Sequence, residues 1–459
     1  MSNTTLAQRI AEYAYQFSTS GFSDDLITLV RNRVLDSLAC ILGAYDASPV
    51  QACLAYAASV PGNSSVFGTS LQTTPECAAF ANGVMVRFLD YNDGYMGLEP
   101  GHPSDNIPAC IAVAQAERAD GQALIAAIIL AYEIQMRLQD AASLNKKGWD
   151  HVNYINVSMA AAAAKLMKLD ARQTEQAINI SLSGHLAMRQ VRSGALSDWK
   201  GCSAANAARN AIFAAQMARH GMTGPAPVFE GEMGFFNQVS GAFSLDVDSF
   251  ATRDNDDFAI KRSLTKTFPT NGELHTAVWA GIELSKRLDD LFAVESIRID
   301  TSEFNKRVLA DGDEKWRPQT RETADHSLPY NVVRALIDGD ISIESYSMKK
   351  ITDPLVTTLM AKTIVVEDPE ITQLFPRQLA NRVTLTLCNG DVLVSEVFTG
   401  PGSVETPMTT EDFENKFRRM AATHLDQVAE QAVLGFVSTL DQQKDFDVLF
   451  EAMTKQKGF

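Results

Sequence analysis

Cysteine is scarce in this 459-residue chain. The six residues, at positions 40, 53, 77, 110, 202 and 388, form no Cys-x-x-Cys pair and no other metal-ligand spacing. That scatter excludes a cluster-binding cysteine set, and with it an iron–sulfur hydro-lyase of the aconitase kind. No metal site and no cofactor is expected. Most of these cysteines lie in apolar helical context and read as buried structural thiols. Basic residues are also short: 40 Lys and Arg stand against 56 Asp and Glu, for a net charge of −16. Nucleic acid and anionic membrane surfaces both need basic patches, so neither is an expected partner. The same field repels an anionic small molecule, which needs a local cluster of Lys, Arg or His to hold it. No run of about 18 or more apolar residues suggests a membrane span. The amino terminus, Met-Ser-Asn-Thr-Thr-Leu-Ala-Gln-Arg, lacks the basic-then-apolar pattern of a signal peptide, so the expected compartment is a reducing cytoplasm. Gly-x-Ser-x-Gly, Gly-x-Gly-x-x-Gly and the Walker loop are absent too, as are internal repeats and low-complexity segments.

Apolar material is plentiful, with 46% hydrophobic and 21% charged residues. A length prior of roughly 100 to 200 residues per domain gives two or three domains. From Thr4 to about residue 260 the apolar residues recur at helical spacing: Leu6, Ile10, Tyr13 and Phe17, then Leu26, Val30, Val34, Leu38 and Ile41. Further helices are predicted over 51–59, 75–89, 106–119, with Asn106 as cap and Pro108 in the first turn, and 122–142. Others follow over 157–167, over 170–183 behind an Asp170/Gln173 capping box, and over 203–220, closed by Gly221. After Lys261 the texture changes. A helix over 272–288 leads to strand-like stretches at 294–300, 360–366, 382–387 and 392–397, and Asn389-Gly390 between the last two is a strong hairpin signal. Residues 411–424 and 425–440 are helical again. The predicted fold is mainly α: a large all-helical domain (1–266 and 399–459) interrupted by a smaller, lid-like α/β domain (267–398).

Acid and base groups are densest between Phe88 and Asn106, where Asp90, Asp93, Glu99, His102 and Asp105 share one loop with Gly94, Gly97, Pro100, Gly101 and Pro103. Gly and Pro rule out a long helix or central strand here, so polar groups are pinned between two apolar helices, as a general acid/base site requires. The spacing is reminiscent of an EF-hand, but that loop needs Gly five places after its first Asp and Glu at position twelve. This chain has Gly94 four places after Asp90, and Gly101 at the twelfth. Taken singly, Asp90 and Asn92 read as helix caps and His102 as a surface histidine. Three other stretches break the apolar pattern: Trp149 to His151, Ser197 to Gly201 with Lys200 before an Ala-rich helix, and Thr265 to His275 with Lys266. Lys200 alone reads as a solvated cation, or as a carboxylate holder aided by the N–H groups of the helix start. His275 in a helix's first turn is expected to be neutral. His326 divides evenly between a structural and a cleft role, and His185, His220 and His424 read as structural.

Leu-Asp-Tyr-Asn-Asp at 89–93 with Gly-His-Pro-Ser-Asp-Asn at 101–106 resembles the two-part signature of the MmgE/PrpD family, and the resemblance extends over nearly the whole chain. That family includes 2-methylcitrate dehydratases, cis-aconitate decarboxylases and iminodisuccinate epimerases. The resemblance implies the two-domain fold, a homodimer, and an active site in the cleft between domains. It matches Lys200 and Lys266, and by position His151, to active-site residues of the family, and puts His326 in a family-like segment; catalytic roles are expected for Asp90, His102, His151, Lys200 and Lys266, and substrate contacts from Asp93, Asn271, His275 and His326. Where decarboxylases of the family carry a histidine this chain has Asn271, which argues against that reaction. The expected function is cofactor-independent dehydration of a 2-alkylcitrate such as 2-methylcitrate. Lys200 and Lys266 would clamp the carboxylates, Asp90 would orient His102, and His102 and His151 would share the acid and base roles. Epimerisation of an iminodisuccinate-like diacid and decarboxylation of cis-aconitate are rivals on the same scaffold. A non-catalytic binding scaffold is a third, disfavoured by the retention of acid/base groups and cations in separate loops.

Overall fold

The computed structural model describes residues 4–194 and 196–454. They form two compact units, one of residues 4–194, 198–263 and 409–454 and one of residues 196–197 and 264–408.

The first unit is helical throughout, apart from two short two-stranded ribbons, Pro61–Ser65 with Gln72–Thr73 and Tyr95–Met96 with Pro100–Gly101. Its centre is Gly121–Ala141, Ile155–Leu166 and Trp199–Arg219, whose side chains are mostly buried. Gly121–Ala141 is long and apolar enough to cross a membrane, yet 83% of its most apolar window is buried inside the protein. Glu133, Gln135 and Arg137 interrupt its apolar run, and the protein satisfies the buried Glu133. Its carboxylate accepts the N–H groups of Ala251 (2.9 Å) and Ala259 (2.6 Å) and Nε of Arg137 (2.8 Å). The capping box of Asp170 and Gln173 forms as the spacing predicts. Asn106 stands at the N-cap of the next helix, Ile107–Ala116, as expected, but its side chain makes no capping bond: Nδ2 donates to Pro103 O (2.9 Å) and Gln135 Oε1 (2.6 Å), tying a 3-10 turn, Pro103–Asn106, to the central helix.

Small residues set how closely the helices approach. A Cβ on Gly83 would lie 2.8 Å from Ala205 Cβ, and one on Gly201 3.5 Å from Phe88 Cα. Pro75–Phe88 and Trp199–Arg219 therefore pack antiparallel at close range, and the end of the first lies beside the start of the second. The second of these helices begins at Trp199, earlier than the apolar pattern indicates, so Lys200 belongs to its first turn rather than preceding it.

The second unit has its own core around a four-stranded sheet in the spatial order Thr363–Glu367, Val294–Thr301, Asn381–Leu387, Val392–Val397; the first pair is parallel and the rest antiparallel. Ile297, Ile299, Val383 and Leu385 alternate into that core and meet Ala277, Val278, Val332 and Leu336 of the helices His275–Ser285 and Leu328–Asp338. Gly390, at φ 89°, makes the turn that the Asn-Gly pair predicts. The strand read at 360–366 starts at Thr363, because residues Pro354–Met360 are a short helix opened by Asp353 and Pro354. The unit runs on to residue 408 rather than ending at 398. Gly402 accepts the Thr265 N–H (2.7 Å), and Gly400 lies so close to the Trp279 ring that a side chain there would collide with it. Five of the six cysteines are buried free thiols, and Cys388 at the hairpin is exposed.

Candidate active site

The helix Pro75–Phe88 ends where Leu89 caps it, and Asp90 follows in the left-handed region at φ 51°. Aspartate tolerates that conformation better than most residues. The turn sends the Asp90 carboxylate back to accept Arg87 Nη1 (2.8 Å) on one oxygen and Lys200 Nζ (3.3 Å) on the other. The carbonyl of the next residue, Tyr91, is fixed from outside the loop by Lys416 Nζ at 2.7 Å.

His102 is held between two groups that fix its tautomer. Its Nδ1 lies 2.6 Å from the Asp93 carbonyl oxygen, which can only accept, and its Nε2 lies 2.9 Å from Arg87 Nη2, which can only donate. The ring is therefore neutral, with the proton on Nδ1. This corrects two expectations. Asp90 does not orient His102, since its oxygen is 3.9 Å from Nε2 and is occupied by Arg87. Nor does His102 have a proton directed outward to give. Asp93, expected to contact substrate, is fully buried, with Oδ1 accepting the Ser104 N–H (3.0 Å) and Oδ2 the Tyr132 hydroxyl (2.7 Å). One oxygen is thus committed to the loop and the other to the central helix, while the Asp93 carbonyl positions His102.

The imidazole supported by an aspartate is His151. Its Nδ1 donates to Asp150 Oδ1 at 2.9 Å, and that oxygen also accepts Arg192 Nε at 2.9 Å, while Ser203 Oγ lies 3.3 Å from Oδ2. His151 Nε2 is buried and has no hydrogen-bond partner among the described residues. Burial, and then repulsion from Arg192, push the His151 imidazole down to about 4 against the pull of Asp150. Burial alone would raise the Asp150 carboxyl, but Arg192 and His151 together hold it well below the usual carboxylate range. Asp150 is thus ionised and His151 neutral at pH 7, the states a general base and its orienting group require. The His102 and His151 rings stand edge to face, 5.8 Å apart. Gly101 packs against the His151 ring, where a Cβ would come within 2.9 Å of His151 Cδ2 and 2.3 Å of Gln139 Nε2, so the loop needs glycine there. Glu99 anchors the same loop by accepting the N–H groups of Leu144 (2.7 Å) and Asn145 (3.0 Å). Asp105, buried behind the loop, is pushed up to about 7 by burial despite nearby Arg87.

The cluster therefore unites Asp90, His102, His151 and Lys200 of the expected residues and adds Arg87, Asp150, Arg192 and Gln139. Arg87 reads in sequence as an ordinary cation in a helix's last turn; its spacing of three from Asp90 was the available signal. Asp150 stood beside His151 in a stretch already singled out. No local pattern marks Arg192 or Gln139. The cations Arg87, Lys200 and Arg192 stand here against Asp90 and Asp150, so a local group of basic side chains is present in an otherwise acidic protein.

Asp93 aside, the other expected residues belong to the second unit. Lys266 is buried there. Asn271 caps a 3-10 turn, Gly272–Leu274, by accepting the Glu273 N–H on Oδ1 (3.0 Å), which leaves that oxygen committed to the backbone. His275 opens the helix His275–Ser285, with Nδ1 3.4 Å from Thr267 Oγ1. His326 Nδ1 pairs with Asp325 Oδ1 at 2.5 Å, and the Asp325 carbonyl accepts the Asn271 N–H (3.0 Å). No group of His, Cys, Asp and Glu suited to a metal ion occurs among the described residues.

A helical unit carrying an Asp-supported imidazole among arginine and lysine side chains, with a separate α/β unit inserted in it, defines the class. Residues 8–248 match the MmgE/PrpD N-terminal domain and residues 268–442 the MmgE/PrpD C-terminal domain. The chain belongs to the MmgE/PrpD family. It is 28% identical to the 2-methylcitrate dehydratase of Cupriavidus necator, over 95% of this chain and 93% of that protein. It is also 28% identical to a probable 2-methylcitrate dehydratase of Saccharomyces cerevisiae, over 89% of this chain and 81% of the relative, and to an alkylcitrate dehydratase of Talaromyces stipitatus, over 89% and 88%. With such relatives the protein is an enzyme of the carbon–oxygen lyase class.

Proposed function

We propose that the protein dehydrates a 2-alkylcitrate, with 2-methylcitrate first among the candidates, to the corresponding cis-aconitate without a cofactor. The observation that carries this reading is the neutral, Asp150-supported His151, whose buried Nε2 has no partner among the described residues, set among Arg87, Lys200 and Arg192. Dehydration needs a base for the proton on the carbon beside a carboxylate, cations for the charge that builds on that carboxylate, and a proton for the departing hydroxide.

His151 Nε2 takes the proton, and Asp150 stabilises the imidazolium that forms. Lys200 and Arg87 stabilise the charge developing on the carboxylate. As the C–O bond breaks and the double bond forms, the imidazolium returns its proton to the hydroxide, which leaves as water. His151 is thereby reset to its neutral form. His102 and Asp93 keep Arg87 aimed. Lys266, Asn271, His275 and His326 are assigned substrate roles in this proposal on the family resemblance alone. The resemblance and the cysteine usage also support a cytoplasmic homodimer, which sedimentation and cell fractionation test.

Purified protein is incubated with 2-methylcitrate, citrate, cis-aconitate and iminodisuccinate, following alkene absorbance, CO2 and chirality. Alkene formation from an alkylcitrate, lowered about 10²- to 10⁴-fold in kcat by His151→Asn with unchanged circular dichroism, is the expected outcome. Release of CO2 or epimerisation in place of alkene formation, or a His151→Asn variant as fast as wild type, overturns it.

A further inference from the structure

The segment between Gly184 and Gly194 has a part in this site that the acid/base residues leave unexplained. It is strapped to the His151 loop by backbone hydrogen bonds: Asp150 N–H donates to Ala187 O (3.0 Å) and Arg189 N–H to Gly148 O (2.9 Å). A 3-10 turn, Arg189–Arg192, follows and delivers the Arg192 side chain to the Asp150 oxygen that His151 also uses. Only Nε of the guanidinium is engaged in that contact. Nη2 is buried and has no partner among the described residues, and neither has His151 Nε2, whose ring is tied to the same carboxylate through Nδ1. Gln139, fully buried against the same face of Gly101 as the His151 ring, likewise has no partner among them for Oε1 or Nε2. Buried polar groups are ordinarily satisfied, and a guanidinium N–H is among the costliest to leave without an acceptor. Unmatched donors of Arg192 and Gln139 in the same cluster as an unprotonated imidazole nitrogen point to what completes the site: an anion with oxygen acceptors, held near the base.

We infer that Arg192 is a substrate-binding residue, its Nε holding Asp150 while its outer guanidinium edge takes a carboxylate of the tricarboxylate, with Gln139 Nε2 donating to a second oxygen. The inference rests on the dehydratase reading for the identity of the acid. The fork geometry explains why arginine serves here: Lys could form either the Asp150 contact or the substrate contact but cannot span both. Because Arg192 bridges orienting group and substrate, it couples binding of the acid to the aim of the base.

The test uses the full chain and tricarballylate, a tricarboxylate with no hydroxyl to eliminate, so that binding is read apart from turnover. Titration calorimetry on wild type, Arg192→Gln, Arg192→Lys and Gln139→Leu is expected to show binding weakened about tenfold or more by Arg192→Gln, on the strength of a charge-assisted contact. Arg192→Lys should fall between, and Gln139→Leu should lose less. The groups facing His151 are Asp150, Arg192, Arg87 and His102, so removing the Arg192 charge should also raise the His151 titration followed by NMR, and Arg192→Lys should restore it. If Arg192→Gln fails to fold, Arg192→Lys carries the test through its intermediate binding loss at an unchanged His151 titration. Wild-type affinity in the folded variants overturns the inference and leaves the dehydratase reading standing. Binding lost with Arg192 in a protein that dehydrates no alkylcitrate supports the carboxylate contact and overturns that reading. Failure of wild type to bind tricarballylate or any alkylcitrate overturns both.

Discussion

Burial shifts two groups of the cluster in opposite directions, because it disfavours the charged form of each. His151 is pushed down to about 4 and Asp105 up to about 7. For catalysis, His151 stays competent as a base well below the usual histidine range, so the acid limb of kcat/KM should not follow an ordinary imidazole. For stability, folded Asp105 keeps a proton up to about pH 7 that the unfolded chain releases near 3.8. Its contribution is thus complete below that lower value and lost as the pH rises through 7. Asp105→Asn is uncharged throughout, so its Tm relative to wild type should be higher at pH 8 than at pH 5. A Tm difference that does not vary with pH would remove Asp105 from this account. At this scale the sequence revealed identities but not pairings. His102 and His151 could both be picked out, but which of them an aspartate supports depended on Asp90 turning away at a left-handed φ toward Arg87 and Lys200.

The elements that aim these residues come from distant parts of the chain. Thr410–Ala421, a helix of the carboxyl-terminal return, carries Lys416 to Asp36 of the helix Asp24–Ala44 (2.6 Å), to the Tyr91 carbonyl (2.7 Å) and over the Tyr91 ring, 3.6 Å from its centroid. Both members of the ion pair have side chains only 1% exposed. Removing one partner of such a pair leaves the other buried without compensation. Lys416→Met should therefore cost about 3–5 kcal/mol in urea unfolding. Asp36→Asn in the same chain should recover part of that loss, and it should lower kcat more than KM rises, since Tyr91 adjoins Asp90. Purely additive losses in the double variant would mean the pair is not coupled. Helical periodicity indicated that these helices exist, and the capping box of Asp170 and the Asn389-Gly390 hairpin were legible because each is a local device. The early start of Trp199–Arg219 and the 3-10 turn before Ile107 were not, since close packing against Phe88 and the contacts of Asn106 determine them.

Over the whole molecule a net charge of −16 opposes the approach of a tricarboxylate, while the favourable cations are local, Arg87 and Lys200 buried and Arg192 partly so. The repulsion is long-ranged and screened by salt; the attraction is short-ranged and screened far less. Raising ionic strength from about 0.01 to 0.15 M, which shortens the Debye length from about 30 to 8 Å, should therefore raise kcat/KM for the acid. A steep fall would mean that an extended basic surface steers it. The sequence by itself determined the helical body, the inserted α/β unit, the loop of Asp90 to Asp105 and the need for a local cationic cluster, because periodicity, turn residues and charge totals act over short stretches or in the sum. Only the tertiary structure decided which aspartate supports which histidine, that Asp93 works from inside the loop, and that Arg87 and Arg192 join Lys200. These depend on distances between side chains far apart in the chain, fixed by how closely small residues let helices approach.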